Sequence, residues 1–398
     1  MNVKFTRTLN RTLGKLIHLE VRLFRKGWPA FRICGYTGLA IAVMLATGLV
    51  AYRSLSLWVV AGVVMAAVFT FFSLVMATKI ITGEERIIYY HHEIGVIVVA
   101  AVLLWALGQP ILPYLDVTIL SIGIFLVCGR IGCFMVGCCH GRPSGFGVCY
   151  REEHAAAGFT HYLVGVRLFP IQAVESLWVF CIVFVGVTFV LRGHPSGEAL
   201  AWYVVTYDLG RFCFEFMRGD PDRPYYRGFS QPQWISLILM VGVAWAEFFG
   251  ILPFHTWHIG ATIVLAVTMI AISVKRYLQK TAKYHLLHAR HIREVAEAII
   301  LASNLETHNA IVFGRDSAPV NIHLGYTSLG IQISSGEISG AAGVIGHYAL
   351  SCRNGALSEE AARTLSKLIL QLKRASVSIE FIKGNRGVFH LLIRSLSG

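Results

Sequence analysis

The feature that most constrains the fold is a succession of long apolar runs that carry few charges. A helix that crosses a bilayer needs about 20 mostly apolar residues, and the runs that reach this length are residues 33–52, 54–78, 94–115, 117–139, 171–191, 199–217, 233–254 and 255–274. The last two runs are separated by little more than Leu252-Pro253-Phe254, which is compatible with one broken or re-entrant helix. We therefore expect an all-α polytopic membrane bundle of seven or eight transmembrane helices.

The composition agrees with a membrane protein. Of the 398 residues, 55% are hydrophobic and 14% are charged, whereas about a quarter of a soluble globular protein is charged. The 35 Lys and Arg residues against 22 Asp and Glu give a formal net charge of +13. In a membrane protein such an excess collects in cytoplasmic loops that face anionic lipid, and no basic module interleaved with aromatic residues is visible. We do not expect nucleic-acid binding.

The two ends of the chain differ from the apolar part. Residues 1–32 are basic, with apolar residues at helical spacing, and predict an amphipathic helix at the membrane interface that is retained in the protein. Residues 33–274 form the membrane domain. Residues 275–398 predict a small soluble α+β domain, expected in the cytoplasm, with helices at 286–303 and 359–375 and strands at 377–383 and 388–394. Ser358 is the expected cap of the second of these helices.

Six ionisable residues interrupt the apolar runs, where a charge costs several kcal/mol unless it is paired or faces a polar cavity. They are Arg130, Glu175, Asp208, Arg211, Glu215 and Glu247. Tyr207, Arg211 and Glu215 follow at intervals of four residues and share one stripe of a helix. One interpretation is that Arg211 and Glu215 simply neutralise each other inside the bundle. The other is that these charges belong to a functional site.

Arg130 favours a functional site, because it lies in Gly129-Arg130-Ile131-Gly132, where small residues allow close approach. Two converging arginines can bind a phosphate bidentately, whereas lysine supplies only a point charge. The implied ligand is an anionic phospholipid headgroup. His91 and His92 precede the third run and are either interfacial residues or a general base or phosphate partner.

A second feature is a cluster of cysteines. Five of the nine fall in one stretch, at Cys128, Cys133, Cys138, Cys139 and Cys149. The spacing is not that of a zinc ribbon or a ferredoxin, and adjacent cysteines are poor joint ligands for one tetrahedral ion, so we predict no metal site. The thiols are then either small apolar groups packed at a helix end or include a thiolate activated by Arg130, Arg142 or His140.

Four motifs occur in order between residues 90 and 240. They are Gly129-Arg130-Ile131-Gly132-Cys133-Phe134-x-x-Gly137-Cys138-Cys139-His140-Gly141-Arg142, then Pro170-x-Gln172-x-x-Glu175, then Tyr207-x-x-x-Arg211-Phe212-x-x-Glu215-Phe216-x-Arg218-Gly219-Asp220, and Gln233-x-x-Ser236. Together they resemble the signatures of the prolipoprotein diacylglyceryl transferases. The chain departs from that pattern at Cys133, where the family typically has Asn, and at Cys138, where it often has Glu. The last apolar run and the soluble domain lie outside the resemblance.

The resemblance implies a multi-pass enzyme of the bacterial inner membrane that uses no metal or soluble cofactor. Such an enzyme moves the diacylglyceryl group of phosphatidylglycerol onto a lipobox cysteine thiol of a prolipoprotein and releases glycerol phosphate. Catalytic roles would fall on Arg130, Arg211, Tyr207 and one of His91 and His92. We expect substrate-binding roles for Gly129, Gly132, Cys133, Gly137, Cys138, Gly141, Arg142, Gln172, Glu175, Glu215 and Arg218.

The distribution of basic residues conflicts with an outward-facing site. With eight spans, the side that carries the motifs holds 18 Lys and Arg residues before the last span, against Arg53 and Arg192 opposite. The positive-inside rule would place this side in the cytoplasm, whereas the family acts at the outer face. Either the span count is wrong by one, or the chain is a related phospholipid-using transferase with a cytoplasmic acceptor. A non-enzymatic sensor or transporter is a third hypothesis, although the inverted repeats typical of transporters are not visible.

Overall fold

A computed structural model describes residues 3–23, 26–83, 89–221, 223–278, 283–303, 310–313, 319–340, 343–353, 355–374 and 378–394. The helices are α1 (Val3–Lys15), α2 (Ala30–Tyr52), α3 (Leu57–Thr82), α4 (Tyr89–Ala106), α5 (Ile111–Val136), α6 (Glu152–Ala156), α7 (Ile171–Leu191), α8 (Glu198–Glu215), α9 (Gln231–Phe248), α10 (Thr256–Leu278), α11 (Lys283–Leu286), α12 (Ala289–Ser303) and α13 (Glu359–Leu372). The strands are β1 (Glu20–Leu23), β2 (Lys26–Pro29), β3 (Pro143–Cys149), β4 (Arg167–Leu168), β5 (Tyr225–Tyr226), β6 (Phe229–Ser230), β7 (Ala310–Phe313), β8 (Pro319–Tyr326), β9 (Ile331–Gly340), β10 (Gly343–Cys352), β11 (Ser378–Lys383) and β12 (Phe389–Arg394).

The membrane domain is a helical bundle, as the apolar runs predict. Within the described ranges, six helices are long and apolar enough to cross a bilayer, namely α2, α3, α4, α5, α7 and α10. The predicted count of seven or eight spans is not confirmed. The remaining two long helices, α8 and α9, have 18 residues each and are more polar, because α8 carries the charged stripe and α9 has glutamines at its start and Glu247 near its end.

The boundary between the third and fourth predicted spans is wrong. The sequence places it at Asp116, but the chain turns before Ile111, and Asp116 lies buried inside α5. Its carboxylate accepts hydrogen bonds from the backbone N–H groups of Gly197 at 2.7 Å and Leu200 at 2.8 Å. Asp116 therefore caps the N-terminus of α8 from the neighbouring helix α5. The residue that the sequence places in a loop thus connects two helices.

The N-terminal helix is shorter than predicted. It ends at Lys15, and β1 and β2 then form an antiparallel pair in which Glu20 lies opposite Pro29. Pro29 has no backbone N–H to donate, and with Gly27 it disfavours a continuous helix. Phe24 and Arg25, which the sequence places in that helix, lie outside the described residues. The α1 helix rests on β3, where Asn10 accepts a hydrogen bond from Gly147 at 2.9 Å.

The C-terminal domain has the predicted α+β character. Its six-stranded antiparallel sheet has the order β11-β12-β10-β9-β8-β7, and apolar residues of α12 and α13 pack on it around Ile333, Leu350 and Leu365. The Ser358 hydroxyl caps α13 by accepting from Ala361 N–H at 3.2 Å, as predicted. The predicted helix and strand limits differ by up to three residues from the observed ones, and residues 375 and 377 lie outside the described part of the chain.

This domain docks onto loops of the membrane domain. The Arg290 guanidinium at the start of α12 donates to the carbonyl oxygens of Arg223 at 2.8 Å and Pro221 at 3.3 Å. Arg374 after α13 donates to the carbonyl of Val164. The α9 and α10 helices are joined separately by a hydrogen-bonding contact between buried Glu247 and His258. The C-terminal domain and the loop after α8 therefore lie on one side of the bundle.

We expect Asp116→Ala to lower the free energy of unfolding by about 2 kcal/mol, because two buried N–H groups of α8 lose a charged acceptor. Thermal and denaturant unfolding in detergent micelles measure this change. Ser121→Ala is the control in the same helix, since the Ser121 hydroxyl donates to the Val117 carbonyl one turn earlier in α5 at 2.8 Å and so links no second element among the described residues. It should change stability by less than about 0.5 kcal/mol. Equal effects of the two variants would contradict the capping role.

Candidate active site

The centre of the site is the carboxylate of Glu175, which is fully buried on the first turns of α7. Three guanidinium groups converge on it. Arg130 Nε of α5 lies 3.0 Å from Oε2, and Arg211 Nη1 of α8 lies 3.4 Å from Oε1. Arg218 Nη1, from the loop after α8, lies 3.6 Å from Oε2. The two arginines that the sequence predicts to converge therefore do so, on a protein carboxylate and with a third arginine.

A second layer of charges surrounds this centre. Arg211 Nη2 lies 2.8 Å from Glu215 Oε1, and Arg223 pairs with the same carboxylate. Arg218 Nε lies 3.0 Å from Asp220 Oδ1, and Arg223 also pairs with Asp220. The predicted pair of Arg211 and Glu215 is thus real but is one part of a larger network. We call this network the arginine cluster: Arg130, Arg211, Arg218 and Arg223 with Glu175, Glu215 and Asp220. Its four cations face three carboxylates, which leaves one positive charge in excess.

The acid in the loop after α8 remains ionised inside this cluster. Burial by itself raises the pKa of Asp220, but the neighbouring Arg218 and Arg223 lower that pKa well below its ordinary value. The sequence motifs alone indicate no role for Asp220 or Arg223. The signal in the sequence was the short segment 218–223, in which Asp220 lies two residues after Arg218 and three before Arg223, because opposite charges so close in sequence pair readily in a turn.

Two turns hold the cluster in place. After α5, Gly137 ends the helix with φ +86°. Gly141 then forms an antiparallel bridge with Arg218, and a Cβ on Gly141 would lie 2.3 Å from the carbonyl oxygen of Phe169. Only glycine fits there without displacing backbone. Arg142 adds two bonds to the loop after α8, from its N–H to Met217 O at 3.0 Å and from Nε to Arg218 O at 3.1 Å.

Other residues of the motifs support the same arrangement. The Tyr207 hydroxyl donates to Glu175 Oε1 at 3.2 Å. Buried Gln172 donates through Nε2 to Cys138 O at 2.8 Å and so ties α7 to the turn after α5. Gly132 allows α2 to approach, because a Cβ there would lie 3.1 Å from Cys34 Cβ, whereas a Cβ on Gly129 meets no described atom within 4 Å.

The two histidines lie in different surroundings. His92 is buried, with its ring centroid 4.8 Å from that of Phe71 on α3. His91 Nε2 lies 3.3 Å from Gln231 Nε2 at the start of α9. Two tyrosines of this segment reach α8. The Tyr89 hydroxyl lies 3.0 Å from that of Tyr203, and the Tyr90 hydroxyl donates to Asp208 Oδ1 at 2.6 Å and lies 2.8 Å from Ser236 Oγ, a residue of the last motif. Tyr90 was not among the predicted site residues, although it directly precedes the histidine pair.

The cysteine stretch divides into separate groups. The Sγ atoms of Cys133, Cys138 and Cys139 lie within 4.8 Å of one another. Cys128 instead packs against α2, where a Cβ on Gly38 would lie 2.8 Å from its own Cβ, and Cys149 ends β3. The geometric objection that adjacent cysteines cannot share one ion therefore does not hold here, because the turn brings both thiols beside Cys133.

An apolar groove runs between α5 and α7 beside the arginine cluster. Its volume is about 320 Å³, and its lining residues are Val127, Ile131, Phe134, Ala173, Ser176, Leu177 and Phe180. Ile131 follows Arg130 directly, and Ser176 follows Glu175. Leu177 is 64% exposed and Phe180 is 49% exposed, so the groove opens on the outer surface of the bundle. A charged cluster and an apolar groove thus adjoin along the same two helices.

Comparison with known proteins agrees with these features. A family model described as prolipoprotein diacylglyceryl transferase matches residues 32–249, which is more than half of the chain. The protein belongs to this family. The match covers α2 to α9 and ends before α10 and the C-terminal domain, as the resemblance predicts. The protein is accordingly a multi-pass membrane protein, in agreement with its apolar helices.

Several relatives are named phosphatidylglycerol–prolipoprotein diacylglyceryl transferase. One from Clostridium tetani is 33% identical over 133 residues, which are 33% of this chain and 51% of the relative. A second from Clostridium perfringens is 26% identical over 41% of this chain and 66% of the relative. A third from Dehalococcoides mccartyi is 30% identical over 40% and 60%. The chain thus spans between half and two thirds of the relatives' length.

We expect Glu175→Gln to lower the free energy of unfolding by about 3 kcal/mol, because three buried arginines lose their common counter-charge. Chemical denaturation in micelles, followed by circular dichroism, measures the change. Glu153→Gln is the control, since the Glu153 side chain is 59% exposed and its described charged partners, Arg151 and His154, lie 4.0 and 3.9 Å away. It should shift stability by less than about 0.5 kcal/mol. A Glu175 variant as stable as the control would show that the carboxylate does not hold the cluster together.

Proposed function

We propose that the protein is an enzyme of the bacterial inner membrane that transfers the diacylglyceryl group of phosphatidylglycerol to a cysteine thiol of a prolipoprotein. Glycerol phosphate is the other product. The observation that carries this proposal is the buried arginine cluster, with one positive charge in excess, directly beside an apolar groove on the bundle surface. An anionic headgroup and its acyl chains would find complementary surfaces side by side.

The hydrogen-bonding capacity of the cluster supports a phosphate ligand. In the part of the chain that the structure describes, Arg211 Nε is buried and has no hydrogen-bond acceptor. Buried donors are rarely left without an acceptor in folded proteins, and a phosphate oxygen would provide one. A guanidinium group suits this task because its donors are fixed in a plane and match phosphate oxygens in pairs.

The same groups would assist the reaction. The acceptor sulfur attacks the glyceryl carbon of the diacylglyceryl group, the C–O bond to the phosphate breaks, and the electron pair of that bond stays with the leaving phosphate. Arg130 and Arg211 would stabilise the charge that develops on the phosphate, a contribution that is often the largest in such reactions. Tyr207, which contacts Glu175, would hold this carboxylate in position. One of His91 and His92 would accept the proton of the acceptor thiol.

We expect Arg130→Lys and Arg211→Lys each to reduce turnover by about 100-fold or more, because lysine cannot provide the planar pair of donors. The assay uses purified protein, phosphatidylglycerol and a fluorescent lipobox peptide, and follows glycerol phosphate release and thioether formation. Arg192→Lys, at the opposite end of α7, is the control and should retain activity. Turnover close to that of the parent protein in both cluster variants would refute the arginine clamp.

One observation favours a variation of this function, namely a related transferase with a cytoplasmic acceptor. The C-terminal domain contacts the loop that carries Arg223, which supports placing the domain and the arginine cluster on one side of the membrane. That side carries the large excess of basic residues, and such residues concentrate in cytoplasmic loops. The lipid chemistry would be unchanged, and the thiol acceptor would differ.

From this charge distribution we expect a green fluorescent protein fused after Gly398 to fluoresce in cells, since it does so when located in the cytoplasm. An alkaline phosphatase fusion at the same position should be inactive. A fusion at the turn after Arg192 is the internal control and should give the opposite pair of results. An exported C-terminal domain would remove the cytoplasmic alternative and leave a prolipoprotein as the acceptor.

A further inference from the structure

Three thiols gather at the end of α5, next to the arginine cluster. Cys133 lies in the last turn of the helix, and Cys138 and Cys139 follow the glycine that ends it. Their Sγ atoms all lie within 4.8 Å of one another. Cys138 is exposed, whereas Cys133 and Cys139 are partly buried. One side of this group of thiols is therefore covered by the protein, and the other side is accessible.

The backbone of this turn has an uncommon conformation that brings the thiols together. Gly137 has φ +86°, and Cys139 has φ +55°, in the left-handed region that residues with a Cβ seldom adopt. The reversal of the chain places the thiols of two consecutive residues beside Cys133. Gln172 fixes the turn by its hydrogen bond to Cys138 O at 2.8 Å. Such a conformation persists only where the surrounding structure enforces it.

We propose that Cys133, Cys138 and Cys139 bind one Zn²⁺ ion as thiolates and leave its fourth coordination position open. Zinc–sulfur bonds of about 2.3 Å in a tetrahedral site place the sulfurs about 4 Å apart, and the observed Sγ atoms all lie within 4.8 Å of one another. Three protein ligands with one open position are typical of catalytic zinc sites. A set of three thiolates selects zinc over the hard cations magnesium and calcium.

The charges nearby are compatible with this ligand set. Three thiolates and one Zn²⁺ carry a net charge of −1, which is costly in partly buried surroundings unless it is compensated. Arg130 and Arg218 lie close enough to Cys139 to interact with it electrostatically. The positive charges of the arginine cluster would lower the cost of placing this negatively charged group beside them.

The inferred role rests on the proposed transferase function. The open position would take the acceptor cysteine thiol, whose proton passes on binding to the base proposed above, one of His91 and His92, because metal ligation requires the thiolate. The bound sulfur then attacks the glyceryl carbon of the phospholipid, an S–C bond forms, and the C–O bond to the phosphate breaks. The electron pair leaves with glycerol phosphate. The thioether product is a poorer ligand than a thiolate and dissociates, and no oxidation or reduction takes place.

The position of the thiols suits this step. Cys133 follows Arg130 by three residues on the same helix, so the metal site and the headgroup arginine are neighbours along one face of α5. Arg130 contacts Glu175 at 3.0 Å. An acceptor sulfur held at the metal would therefore lie beside the bound phosphate, and holding two reactants together in this way accelerates their reaction.

The first test is the metal content of the intact protein, purified in detergent with a reducing agent and without chelators. Elemental analysis should find about one zinc per chain. The variants Cys133→Ser, Cys138→Ser and Cys139→Ser should each lose the zinc. The control is Cys181→Ser, which changes an exposed cysteine on a different helix, α7, and should retain it. A zinc-free parent protein, or zinc that remains in the variant with all three serines, would overturn the proposal.

The second test replaces zinc with cobalt, whose thiolate charge-transfer absorption reports the number of sulfur ligands. The substituted protein should show this absorption, and a lipobox peptide with a cysteine should increase it as a fourth thiolate binds. A peptide with serine in place of that cysteine should leave it unchanged. A spectrum that does not respond to the cysteine peptide would overturn the acceptor role.

The two readouts separate this inference from the proposed function. Full transfer activity in a variant that lacks all three cysteines would overturn the zinc proposal and leave the transferase function in place. Zinc and the thiol-dependent cobalt spectrum without glycerol phosphate release would support the metal site and contradict the proposed transfer from phosphatidylglycerol.

Discussion

The burial of the Glu175 carboxylate among three arginines is the interaction on which the rest of the site depends. The partners come from α5, α8 and the loop after α8, so the ion cluster can form only when these elements have assembled around α7. The desolvation cost of buried charges offsets most of their mutual attraction. Such a cluster therefore adds little net stability, and its excess of positive charge is better explained by an anion that the site binds.

The loops around the arginine cluster are in contact with both the C-terminal domain and the N-terminal helix. The Arg223 side chain pairs with Glu215 and Asp220, while its carbonyl accepts hydrogen bonds from Arg290 of the C-terminal domain. On the other side, α1 bonds to Gly147 of β3 through Asn10. The N-terminal helix and the C-terminal domain thus both brace segments next to the motifs. Segments outside the family match contribute to the surroundings of the site, and a change in either could alter its geometry.

Local features were predictable from the sequence, and contacts between distant segments were not. The stripe of Tyr207, Arg211 and Glu215 follows from helical periodicity, and the Ser358 cap follows from residue preferences at helix starts. The span boundary was predicted wrongly at Asp116. A charge inside an apolar run can mark a loop, but it can equally belong to a helix residue that bonds to a distant part of the chain. The partner of Asp116 lies about eighty residues further along the chain, at Gly197, and no periodic pattern reports such a pairing.

In the turn after α5, the backbone follows the family motif, whereas two side chains depart from it. Its backbone is fixed by Gly137, Gly141 and the bridge to Arg218, which are features of the family motif. The side chains at Cys133 and Cys138 depart from that motif, where Asn and Glu are usual. Replacing an amide and a carboxylate by thiols removes hard oxygen groups and adds soft sulfur ligands, while the arginines and the apolar groove remain. Under the proposed function, the arginines and the groove would bind the lipid as in other members of the family, and the difference would fall on the part of the site that takes the acceptor thiol.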